Sequence, residues 1–248
     1  LISTVALCAV VSAWAEEAHP VSARLVADAS NGLRVGVQLT MEPGWHVYWV
    51  NPGDSGLATE VMWSAPEGVA LGPLQWPAPE VFTSPGDLTS FGYSGEVTLA
   101  ADVGTLSGPP RGTLRAAVSW LACKDVCLLG DATLEADLGD VAGFESAEAF
   151  RTADAHSVRP LADAPFGLRR DQGDSGPRVW LTWAEQPDLV EVFPSTRSGR
   201  HPIAKARTRG GLTRIDLDLR GGSLPVELIV VAVDDGTRNG YRVPVGAP

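Results

Sequence analysis

Cysteine is scarce in this chain, and so is positive charge. Of 248 residues only 3 are cysteine and 2 methionine, and 19 lysines and arginines face 30 aspartates and glutamates, a formal net charge of −11. That acidic balance argues against nucleic acid or an anionic membrane surface as the main partner, because both are held by basic patches. Long apolar runs are missing after the first fifteen or so residues. The best candidate, "LPVELIVVAV" at 224–233, is short and broken by Glu227, so it reads as a buried strand and not as a membrane span.

The opening residues stand apart. "LISTVALCAVVSAWA" is apolar and uncharged up to Glu16 and ends in Ala13-Trp14-Ala15, a small-x-small pattern. This is expected to be the apolar part and cleavage site of a secretory signal, residues 1–15. Its removal takes Cys8 with it and leaves Cys123 and Cys127 as one pair in an exported protein, where a disulfide can persist.

What is present is mostly β-patterned. "LRVGVQLTM" (33–41) alternates apolar and polar residues, "WHVYWV" (45–50) is aromatic and β-branched, and 96–103, 113–123 and 132–138 continue the pattern. Turn-rich pieces separate them: "NPGDSG" (51–56), "APEG" (65–68), "SPGD" (84–87) and "SGPPRG" (107–112). One helix-compatible stretch, 144–158, leads into a second β set at 177–185, 188–195, 212–220, 226–233 and 240–245. Many short strands with Gly/Pro turns predict an all-β chain of two sandwiches. The second half holds no cysteine, and "SGRHPIAKART", with His201, reads as a solvated basic loop.

The chemistry therefore rests on "SWLACKDVCLLG" at 119–130. Along one continuous strand, residues four apart are separated by roughly 13 Å at about 3.3 Å per residue. A disulfide needs Cα atoms about 4.4–6.8 Å apart. Cys123 and Cys127 meet only if the chain reverses at Lys124-Asp125-Val126, as in a three-residue hairpin loop. A bridge closing so small a loop removes little denatured-state entropy, which makes it a poor staple. Its locality fits an exchangeable bond better. A structural disulfide and a metal clip stay open at this stage. Two thiolates with His46 suit a soft ion such as Cu(I), yet no second cysteine pair or His-x-x-x-His spacing completes a site, and Met41 and Met62 do not cluster with the pair.

Four stretches together resemble a known family: "PGWHVYWVNPGDSGLATEVMW" (43–63), "LGPLQWPAPEVF" (71–82), "TSFGYSGEVTL" (89–99) and "VSWLACKDVCLLG" (118–130). They resemble the N-terminal periplasmic domain of DsbD-type transmembrane thiol–disulfide reductases, and most closely the ScsB-like branch linked to copper tolerance. The resemblance implies an immunoglobulin-like β-sandwich carrying the cysteine pair, reduced by a membrane-embedded reductase domain of the same or another chain. The pair in turn reduces thioredoxin-fold periplasmic proteins, with no cofactor and no metal. By position, Cys127 matches the cysteine that forms the mixed disulfide and Cys123 the one that resolves it. Phe91, Gly92 and Tyr93 resemble a cap loop over the pair, the alternative being core residues on a strand. His46 and Tyr48 share parity on their strand and resemble polar aromatic neighbours of the pair. Trp45, Trp49 and Trp120 are expected to fill the core.

The organisation expected is a signal peptide at 1–15, the redox domain at 16–143, a helical linker at 144–165 and a second, smaller β-sandwich at 166–248. The protein is expected to be periplasmic, with the full-length form held at the inner membrane.

Overall fold

A computed structural model describes residues 19–105, 109–143, 147–173, 176–196, 202–219 and 227–245. The expected signal segment, Cys8 and His201 lie outside the described residues.

The described residues of the first half form ten strands. They are β1 (Val21–Asp28), β2 (Arg34–Met41), β3 (His46–Gly53), β4 (Glu60–Ser64), β5 (Val69–Leu71), β6 (Glu80–Ser84), β7 (Leu88–Ser94), β8 (Glu96–Thr105), β9 (Thr113–Cys123) and β10 (Cys127–Asp137). One sheet runs β1-β2-β8-β5; the other runs β10-β9-β3-β7-β6, with β4 also paired to β9. The two sheets close on a core that includes Val37, Leu39, Val47, Trp49, Leu99, Val118 and Trp120. This is the sandwich expected from the strand pattern, of the immunoglobulin-like kind that the family resemblance implied. Trp49 and Trp120 are core residues, and Trp45 packs partly buried against them.

An α-helix, α1 (Ala147–Ala155), follows. Its Ala149 and Phe150 are buried with Val26 and Ala100 of the first half, so it is docked and does not merely link. Arg34 reinforces that docking by pairing with Asp28 and with Asp154 of the helix, and its guanidinium lies over the Phe150 ring. The Arg34 hydrogen bond, helped by Ser30, lowers the Asp28 pKa to about 2.

The second half holds β11 (Val158–Pro160), β12 (Phe166–Gly173), β13 (Gly176–Trp183), β14 (Leu189–Ser195), β15 (Ile203–Arg209), β16 (Leu212–Asp218), β17 (Glu227–Asp234) and β18 (Thr237–Pro244). The sheets run β11-β18-β17-β14 and β12-β13-β16-β15, and Leu181, Ile215, Leu228, Val230 and Val243 lie between them. Two sequence expectations change here. The stretch assigned to a linker at 144–165 includes β11, which pairs with β18 as part of the second sandwich. Part of the stretch read as a basic loop forms β15, whose Lys205, Arg207 and Arg209 line a sheet edge, a placement that discourages further strand pairing.

The halves share apolar packing. On β17, Leu228, Val230 and Ala232 face the second core while Ile229 and Val231 join the first. Burial on both faces explains why "LIVVAV" shows no alternation. Phe193 on β14 is fully buried, with its ring edge-on to Phe91 at 5.2 Å and Trp49 at 6.2 Å. Asn51, also fully buried, donates from Nδ2 to the Pro194 and Pro202 carbonyls and accepts the Gly53 N–H. The "NPG" read as a turn is therefore the end of β3, after a break in its pairing with β7 between Tyr48 and Gly53.

Candidate active site

Side-chain parity on β9 decides where the cysteines point. Leu114, Ala116, Val118, Trp120 and Ala122 are buried in the core, so Ala117, Ser119, Leu121 and Cys123 occupy the opposite face. Strands β9 and β10 form a hairpin in which Cys123 and Cys127 are register partners across Lys124-Asp125-Val126. They are bonded, with Cα atoms 4.2 Å apart. This is the chain reversal the spacing demanded.

The two sulfurs are not equivalent. Cys123 is buried, with 3% of its surface exposed, whereas Cys127 is exposed at the start of edge strand β10. Beside Cys127 stand Val126, Leu128 and Leu129, at 59%, 41% and 74% exposure. Lys124 at the loop is turned back, its Nζ donating to the Pro43 carbonyl.

On the inner side of the pair, His46 of β3 is the register partner of Cys123. Tyr48 follows two residues on, on the same face, and the two rings meet edge-on at 5.2 Å. Burial lowers the pKa of His46 and raises that of Tyr48. A loop glycine, Gly56, lies against the Tyr48 ring, where an added Cβ would come within 2.2 Å of Cε1.

Phe91, Gly92 and Tyr93 do not form a cap loop. They lie within β7, paired on one side with β3 and on the other with β6. Phe91 and Tyr93 point into the core, where Phe91 meets Phe193 and the Tyr93 hydroxyl donates to the Pro77 carbonyl. Only Gly92 faces the site side, opposite Tyr48. An added Cβ there would sit 2.0 Å from the Val47 carbonyl oxygen. An aromatic residue that the sequence reading did not single out also joins the site. Phe82 of β6 reaches across and stacks on His46, ring centroids 4.3 Å apart and planes 13° from parallel. Its signal in the sequence was its place at the end of "WPAPEVF", one strand before the residues taken for the cap.

Among the described residues no group of three or more His, Cys, Asp or Glu side chains is placed to hold a metal ion.

The profile of the family described as "Thiol:disulfide interchange protein DsbD, N-terminal" matches residues 15–138, the span that holds this hairpin. The chain belongs to the DsbD N-terminal domain family. Among solved structures, the N-terminal periplasmic domain of ScsB from Proteus mirabilis is similar over 94% of this chain and 96% of that one, with a TM-score of 0.67 and 21% identity. That likeness covers both sandwiches and α1, and it establishes the fold. No curated protein sequence matches. Thiol–disulfide interchange is the chemistry of the DsbD N-terminal family, and a cysteine pair bonded across a hairpin is a centre suited to it. No helix among the described residues is long and apolar enough to cross a membrane.

Proposed function

We propose that this DsbD-family domain is an electron relay of the bacterial periplasm. It takes electron pairs from a membrane-embedded reductase domain, of the same or another chain, and passes them to thioredoxin-fold proteins. The observation that carries this reading is the asymmetry of the pair: one sulfur at the surface and its partner buried behind it.

In the reduced state Cys127, having lost its proton to solvent, attacks a partner disulfide as the thiolate. A Cys127–partner bond forms, the partner's own S–S bond breaks, and its departing sulfur takes up a proton. Cys123 then attacks the Cys127 sulfur, restoring the intramolecular disulfide and releasing the partner's second thiolate. Two electrons leave the pair and reduce the partner. The exposed Val126, Leu128 and Leu129 form an apolar collar for a docking surface around the partner's sulfur. Phe82, stacked on His46, covers the approach from the β6 side, and Cys123 stays shielded until the mixed disulfide exists.

Partner trapping tests this. Cys123→Ser is expected to accumulate mixed disulfides on Cys127 with thioredoxin-fold proteins in a periplasmic extract, while Cys127→Ser accumulates none. Absence of adducts with Cys123→Ser, or equal capture by both variants, contradicts the relay.

A further inference from the structure

Register places four side chains in a straight row across the site face of the sheet: Cys127, Cys123, His46 and Ser94, each the cross-strand partner of the next. Neighbouring strands lie about 4.8 Å apart, so His46 is the first side chain beyond Cys123. The row ends where the Ser94 hydroxyl donates to Glu80 on β6 at 2.9 Å. The exchange reaction leaves one demand unmet. Cys123 is buried and must lose a proton before it attacks, because the thiolate is the nucleophile.

We propose that His46 accepts the Cys123 thiol proton in the resolving step and returns it to the departing partner thiolate. This rests on the exchange reading above. Other groups around His46 are occupied or unsuited. Glu80 is held by Ser94, Lys124 donates to Pro43, Tyr48 is kept protonated by burial, and Phe82 supplies only a ring face. The His46 nitrogens make no hydrogen bond to another described residue and are not sealed from solvent. Burial holds the ring neutral at pH 7, the form that accepts a proton. The step balances: Cys123–SH gives its proton to His46, the Cys123–Cys127 bond forms as the Cys127–partner bond breaks, and the imidazolium protonates the released sulfur. Stacking on Phe82 fixes the ring without engaging its nitrogens.

The test separates the two chemical steps in the mature chain, with glutathione disulfide as the probe. Reduced wild type and His46→Phe, which keeps a ring for Phe82 but no nitrogen, are mixed with the probe. They are then acid-quenched over time, and the Cys127–glutathione adduct is followed by mass. Attack by Cys127 is expected to be unchanged, while resolution in His46→Phe is about tenfold slower at pH 7. The gap is expected to narrow as pH rises and hydroxide takes over removal of the thiol proton. Imidazole added to His46→Phe restores part of the lost rate, and His46→Gln, which keeps a polar side chain, shows the same defect as His46→Phe. Unchanged resolution overturns the proposal. So does an equal slowing of both steps at every pH, the mark of a purely structural residue. If wild-type Cys127 forms no adduct with the probe and Cys123→Ser traps no partner, the exchange reading falls and this inference with it.

Discussion

In the first half, the face of the β10-β9-β3-β7-β6 sheet turned away from its own core carries Cys123, Cys127, His46 and Tyr48. In the second half, the sheet containing β14 and β17 turns Phe193, Ile229 and Val231 away from its core and closes them against residues such as Trp49 and Phe91. The same two-sheet architecture thus uses an outer face in two ways. An outer face sealed by apolar contact is fixed for the life of the fold, and the second half, which has no cysteine, is anchored through it. A face that carries an exposed sulfur, Cys127, can meet partners and let them go under the proposed exchange. The two uses meet at β7: Phe91 packs against Phe193 of the second half on one side of the strand, and Gly92 lies opposite Tyr48 on the other.

The strongest challenge to that comparison is Phe193→Ala. If the second half is a fixed support, emptying this fully buried position is expected to cost about 3–5 kcal/mol. Urea unfolding followed by far-UV circular dichroism and by tryptophan fluorescence should then shift together for both halves. A shift confined to the second half would show that the first sandwich does not depend on it. A smaller effect sharpens the distinction between the two faces of β7. Phe82→Ala is expected to speed reduction of the Cys123–Cys127 bond by a small thiol several-fold with little loss of stability. Phe91→Ala should lower stability and leave the rate in the folded protein unchanged. The reverse pattern would return the cap to residues 91–93.

Much of this was legible in the sequence because it follows from period and spacing. The alternation in "TLRAAVSWLAC" marked β9, and the Cys-x-x-x-Cys spacing forced a reversal that the hairpin supplies. Other features depended on pairing across distant strands. Phe91 and Tyr93 next to a glycine look like an exposed aromatic loop, and only the register with β3 and β6 shows both pointing inward. Phe82 looked like one more strand residue, since its stacking on His46 joins strands β6 and β3, which are not neighbours in the sheet. Asn51 in "NPG" carries a strong turn signal locally, and it is overridden by carbonyls more than 140 residues away. The edge strand β15 was hidden by the basic residues that keep such an edge from pairing.

The central claim is that the bond between Cys123 and Cys127 opens and closes in the native protein. The most direct measurement equilibrates the folded chain, begun at Glu16 so that Cys123 and Cys127 are its cysteines, with thioredoxin-level reductant, then alkylates free thiols and counts them by mass while circular dichroism follows the fold. Two alkyl groups per molecule with the β signal intact is the predicted result. A disulfide that stays closed until the protein unfolds would make the pair a structural clip and contradict the account.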